Sequence, residues 1–123
     1  MSYKARVYYH HTDSGGVVYY GNYLQFLEEA RTEFLAARGI LIKDLLAAGR
    51  FFVVSRQEMD YRAPARYADT LDISTSVKSV SAVRIDLFLE IRNQSGMLLS
   101  EARTVLAYID TSFKPCAIPD GMK

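Results

Sequence analysis

The chain has a single cysteine, Cys116, so no disulfide can form within it. No apolar run approaches the ~20 residues that a membrane-spanning helix needs. The opening residues, MSYKARVYY, lack the apolar core of a secretory signal, and with the unpaired thiol this leads us to expect a cytoplasmic protein with no membrane insertion. An excess of one charge is missing too. Fifteen basic against fourteen acidic side chains leave a net charge of +1, too weak a field to attract nucleic acid or a membrane surface. Any anionic ligand must be held by a local cluster. One cysteine and two adjacent histidines, His10 and His11, fall short of a closed structural zinc site, so no metal is expected. Repeats, linkers and low-complexity segments are absent.

What is present suffices for a core. Half of the 123 residues are hydrophobic, and a chain of this length buries about two-thirds of its unfolded surface, so residues 1–123 are expected to form one domain. Residues 3–9 are β-prone and predict a first strand, with Val7 and Tyr9 on one face and Arg6 and Tyr8 on the other. Next, Tyr23, Leu24, Leu27, Ala30, Phe34 and Ala37 recur at helical spacing. They predict a helix of about 17 residues, opened by Asn22 and Gln25 as a capping box and closed by Gly39. Glu28 and Arg31 are spaced to pair on its surface. Residues 40–48, with Leu41, Leu45 and Leu46 ahead of Gly49, predict a shorter helical connection.

Beyond it the period changes to two. Residues 52–62 are β-prone, Leu71, Ile73, Thr75 and Val77 alternate with polar residues, and so do Val83, Ile85, Leu87, Leu89 and Ile91. Asn93-Gln94-Ser95-Gly96 is a turn, residues 97–110 are the returning strand, and residues 111–123, with Pro115 and Pro119, are expected to be loop. One long helix followed by antiparallel strands long enough to lie along it makes the fold α+β.

The chemistry concentrates in residues 10–31, HHTDSGGVVYYGNYLQFLEEAR, where a short polar loop carrying Asp13 runs directly into the long helix. A helix start presents unpaired N–H groups and a positive dipole end, which can stabilise a carbonyl oxygen as it becomes an oxyanion. A carboxylate just upstream can attack the carbonyl carbon or activate a water to do so. The same Thr-Asp-Ser-Gly-Gly context also suits an aspartate that builds a turn through its own side chain. His10 and His11 suit a solvated loop, although His11, two residues from Asp13, shares its face if the segment is extended.

The run TDSGGVVYYGNY followed by LEEARTEFL resembles the signature of the hot-dog-fold acyl-CoA thioesterases, in the branch holding 4-hydroxybenzoyl-CoA thioesterase and the Tol-Pal-associated thioesterases. The resemblance implies an antiparallel sheet of about five strands wrapped around one long helix, with subunits paired edge to edge as a dimer or a tetramer. It implies hydrolysis of an acyl- or aroyl-CoA to free acid and CoA, with no cofactor other than CoA as part of the substrate. By it, Asp13 is catalytic as nucleophile or general base, and the Tyr20 backbone N–H points at the thioester oxygen. Tyr20 is tyrosine, as in the 4-hydroxybenzoyl branch, where Tol-Pal relatives often have histidine, so the acyl group stays open. Gly16, Val18, Tyr23 and Phe26 would bind substrate, and Lys78, Ser81, Arg84 and Lys114 are candidates for CoA. The rival from another class is a non-catalytic acyl-CoA or acyl-carrier-protein binding module. A hydratase on the same fold would want a histidine a few residues after its aspartate, and none follows Asp13.

Overall fold

The computed structural model describes residues 2–122, which leaves Met1 and Lys123, the ends of the expected domain, outside the described residues. In chain order the elements are β1 (Ser2–Arg6), α1 (Asn22–Ala37), α2 (Ile42–Ala47), β2 (Arg50–Tyr61), β3 (Thr70–Val80), β4 (Arg84–Arg92) and β5 (Leu98–Asp110). Short 3-10 turns occupy Tyr9–His11 and Asp120–Met122. The strands form one sheet in the order β1-β3-β4-β5-β2, antiparallel at every pairing. One face of it closes on α1. This is the hot-dog arrangement expected above.

Period-two alternation produces that face. Leu71, Ile73 and Thr75 of β3, Ile85, Leu87, Leu89 and Ile91 of β4, and Ala102, Thr104 and Leu106 of β5 are all buried. Against them α1 lays a stripe of Tyr23, Phe26, Leu27, Ala30, Phe34 and Leu35. Each large side chain removed from water there stabilises the fold by roughly 1.5–3 kcal/mol. Register shifts between Val54 and Arg56 of β2 and between Val77 and Ser79 of β3 add the local twist that lets a long sheet curl around a helix. The helix closes as expected: Gly39, at φ +80°, donates to Ala36 O at 2.9 Å and Ile40 donates to Leu35 O at 2.9 Å.

Four expectations need correction. The first strand stops at Arg6, and Tyr9, expected to share a face with Val7, is 80% exposed where Val7 is buried. The cause is local, because His11 Nδ1 accepts the Tyr8 N–H at 2.9 Å and closes a turn that competes with the ladder. Leu24 is 47% exposed, being one residue and so about 100° around the helix from Tyr23, and Ala37, the last residue of α1, is exposed as well. The Asn22–Gln25 capping box does not form; Gly21 is the N-cap, with no side-chain cap. Glu28 accepts from Thr32 Oγ1 at 3.0 Å, and no ion pair with Arg31 forms among the described residues. The tail is irregular but packed, with Ile118 and Met122 buried and Ile118 N donating to Ala82 O at 2.9 Å.

Leu27→Ala, at the fully buried centre of α1, is expected to lower unfolding free energy by about 2–5 kcal/mol. Leu24→Ala should cost less than about 1 kcal/mol. Urea unfolding of both variants checks this, and equal losses would contradict the packing described.

Candidate active site

Residues 12–18 form a miniature hairpin. Thr12 bridges Val18, the Asp13 N–H donates to Val17 O at 2.9 Å, and the Gly16 N–H donates back to Asp13 O at 3.1 Å. Gly16 sits at φ +79°, a left-handed conformation that side chains other than glycine's resist. The Asp13 carboxylate accepts the Gly15 N–H on Oδ1 at 2.8 Å, the local turn its context suggested. Its other oxygen has no partner among the described residues, and the side chain is exposed. A third extended segment supports the hairpin: Val17 bridges Arg66, and the Val18 N–H donates to Ala65 O at 2.8 Å.

The chain then winds into α1. The N–H groups of Asn22, Tyr23 and Leu24 are taken by the carbonyls of Tyr19, Tyr20 and Gly21 at 2.9, 3.3 and 3.3 Å. Among the described residues nothing accepts the N–H of Tyr20 or of Gly21. Tyr20 borders a cleft of about 270 Å³ with Val18, Tyr23, Tyr61, Arg62, Ala63 and Pro64. Tyr23 is buried, packs edge-on against Tyr61 at 5.3 Å between centroids, and accepts the Ala65 N–H on its hydroxyl at 3.0 Å. Burial raises the pKa of both phenols, Tyr23 and Tyr61, so they stay protonated at neutral pH. Tyr61 OH reaches Tyr20 O at 3.5 Å, a long bond. Arg62 is held by Glu101, Nε to Oε1 at 3.1 Å.

Of the expected substrate residues, Val18, Tyr20 and Tyr23 therefore share one cleft, and Asp13 and Gly16 lie on the hairpin beside it. Phe26 does not join them. It borders a different cleft, between β1 and α1, with its ring 4.8 Å from that of His11. His11 does not turn to Asp13 either, because its segment is a 3-10 turn and the parity of an extended strand is lost. Sequence reasoning missed Tyr61 and Arg62, which come from the end of β2 with only a β-prone pattern to mark them.

The CoA candidates divide. Ser81 and Arg84 meet in the β3–β4 turn, where the Arg84 N–H donates to Ser81 Oγ at 3.1 Å, and they border a cavity of about 440 Å³ with Arg56 and Arg103. Arg103 is already bound to Asp86 at 2.6 Å, whose carboxyl it holds below the usual carboxylate range. Lys78 lies over the Phe88 ring at 5.0 Å, and Lys114 sits apart in the turn after β5, its N–H on Asp110 Oδ1 at 3.0 Å.

Comparison with known proteins places these positions in context. Residues 7–123 match the thioesterase-like superfamily. The acyl-CoA thioester hydrolase YbgC of Escherichia coli is 38% identical over 118 residues, spanning 95% of this chain and 88% of that protein. Among solved structures, a probable thioesterase from Bartonella henselae superposes with a TM-score of 0.90 at 34% identity, over 97% of this chain and 98% of its own. A 1,4-dihydroxy-2-naphthoyl-CoA thioesterase from Synechocystis gives 0.91 at 27% identity, over 98% of this chain and 90% of its own.

His11 makes the local fold pH-sensitive. Burial, and then the neighbouring His10, lower its pKa from the ordinary 6.5, against an opposing pull from Glu29. The unfolded chain thus takes up this proton at a higher pH than the folded one. Its contribution to stability is complete above about pH 6.5 and fades as pH falls through the folded value. Asp86 and Asp110, held down by Arg103 and by the Lys114 and Ser112 N–H groups, act only below the ordinary carboxylate value of 3.8. Between about pH 7.5 and pH 5.5 the melting temperature should fall, and less so in His11→Asn, whose Oδ1 can accept the Tyr8 N–H without titrating. Parallel melting curves for the two proteins would remove His11 as the source.

Proposed function

The chain belongs to the thioesterase-like superfamily, and we propose that it hydrolyses an acyl- or aroyl-CoA thioester to the free acid and CoA, with Asp13 and the Tyr20 N–H as its working groups. One observation carries the assignment of roles. A carboxylate with one oxygen held by Gly15 and the other open lies on the same short excursion as a backbone N–H, and neither that oxygen nor that N–H has a partner among the described residues. Asp13 supplies the oxygen side of the reaction. It attacks the acyl carbon and forms an anhydride that water cleaves, or it takes a proton from the water that attacks. Either way the carbon–sulfur bond breaks, water's oxygen ends in the acid, and a proton ends on the CoA thiol. The Tyr20 N–H and the α1 dipole stabilise the oxyanion between these steps, an effect of order 10²–10³ in rate for one well-placed donor.

The cleft of Val18, Tyr20, Tyr23 and Tyr61 takes the acyl group, and Gly16 keeps the loop close to it. Lys78, Ser81, Arg84 and Lys114 serve the CoA nucleotide, Lys78 from β3, Ser81 from the turn after it and Arg84 from the start of β4. The reaction calls for no metal and no cofactor beyond the CoA of the substrate. The working form is a homo-oligomer, a dimer or a dimer of dimers, built from this single domain. The outer edge of β2 supports that, because it is a 12-residue strand paired on one side only. A cytoplasmic location fits a CoA substrate, and no helix among the described residues is long and apolar enough to cross a membrane.

Free-thiol release from a panel of aliphatic and aromatic acyl-CoAs tests this. The wild type should hydrolyse at least one class saturably. Asp13→Asn keeps an Oδ1 for the Gly15 N–H, so its urea midpoint should not move while kcat falls by about 10²-fold or more. A folded wild type that releases no thiol from any substrate, or an Asp13→Asn variant at full rate, would contradict the proposal.

A further inference from the structure

We infer that Asn22 is a positioning residue, whose side-chain amide ties the start of α1 to the 3-10 turn before Asp13 and so sets the separation between that carboxylate and the Tyr20 N–H. The inference rests on the roles proposed above for those two groups. Its centre is the carbonyl of His11. That oxygen accepts two donors, the Tyr19 N–H at 3.0 Å and Asn22 Nδ2–H at 2.7 Å. Asp13 is two residues beyond His11 in the chain, and Tyr20 lies between Tyr19 and Asn22. A single oxygen thus joins both arms of the excursion that carries the proposed chemistry.

The Asn22 side chain is the part of that residue free to do this. Its backbone N–H is committed to Tyr19 O at 2.9 Å, and it does not cap the helix, a role left to Gly21. His11 is gripped a second time by the same helix, because Phe26, one turn on from Asn22 and on the same face, packs its ring 4.8 Å from the imidazole. From the other side His11 Nδ1 accepts the Tyr8 N–H at 2.9 Å. With Asn22 Nδ2 gone, the His11 carbonyl keeps the Tyr19 N–H, which continues the ladder of the Asp13 N–H to Val17 O bond, but the hairpin loses its hydrogen bond from the first turn of α1 and with it a constraint on the angle between hairpin and helix. An error near 1 Å between reacting groups can lower rate by about a hundredfold.

The test compares Asn22→Ala with Asn22→Asp, using thiol release on the best acyl-CoA and thermal melting, beside Asp13→Asn. Removing the donor should lower kcat at least ~tenfold in both variants and leave KM within about threefold, since the cleft walls are untouched. Asn22→Asp separates positioning from stability. Its carboxylate cannot donate to the carbonyl at neutral pH, but a negative charge in the first turn favours the helix, so its melting temperature should hold while kcat falls. Wild-type kcat in both variants, a rise in KM alone, or a loss confined to Asn22→Ala and matched by its melting temperature overturns the inference. Full turnover in Asp13→Asn would instead mean that the proposed roles have failed, whatever the Asn22 variants do.

Discussion

Burial of one helix stripe against one sheet face decides where everything else in this molecule must go. The 16 residues of α1 span about 24 Å, and strands of 9 to 13 residues can cover that length completely. Once Leu27, Leu35, Leu87 and Leu89 are fully buried together, the helix has no freedom to slide or rotate. Its N-terminus is then held beside the C-terminal end of β2, and Tyr61 meets Tyr23 and Tyr20 across that junction. The cleft there results from packing elsewhere. Val18 and Tyr20 reach it from the connection between β1 and α1, and Arg62, Ala63 and Pro64 from the one between β2 and β3.

The same constraint explains which parts of the fold were legible in the sequence. Burial in β4 is strict, with Ile85, Leu87, Leu89 and Ile91 at 0% exposure, and its alternation could be read residue by residue. The α1 stripe was legible for the same reason, apart from Leu24 and Ala37, which are apolar without being inward-facing. Errors gathered where short-range side-chain bonds outbid a periodic pattern. His11 turns the chain at Tyr8 and ends β1 early, and Asn22 spends its amide on His11 instead of a cap. Neither bond has a periodic signature. At the site, Asp13 was legible as a carboxylate in a short loop ahead of a helix, whereas the roles proposed for it and for the Tyr20 N–H come from the resemblance to the hot-dog thioesterases. Tyr61 and Arg62 were not legible, because they reach the cleft through the pairing of β2 with β5, a relation between distant segments.

Two accounts of Asp13 that compete at the level of sequence are compatible in three dimensions. A carboxylate has two oxygens, and the turn at Gly15 uses one. Holding Oδ1 with a backbone donor orients the group and leaves the second oxygen outward, whereas an untethered aspartate on an exposed loop would sample several rotamers. The turn is therefore a means of orienting the reactive oxygen under the proposed mechanism. An asparagine in its place preserves the turn and loses only the charge.

The helix start follows a similar economy. The first N–H groups of any helix lack partners, and a serine or aspartate cap commonly occupies them, with a gain of about 1 kcal/mol. Here the carbonyls of Tyr19, Tyr20 and Gly21 take the N–H groups of Asn22, Tyr23 and Leu24, so the helix is satisfied by backbone alone. Among the described residues the donors left without a protein acceptor are those of Gly21 and of Tyr20, and Tyr20 borders the cleft. No side chain among the described residues caps the helix there, so none occupies the positive end of the dipole. Water can satisfy those two N–H groups at little cost until a carbonyl oxygen displaces it, and the displacement is most favourable when that oxygen carries charge. Under the proposed mechanism a helix end arranged in this way favours the oxyanion over the ground-state thioester, and that difference is what accelerates a reaction.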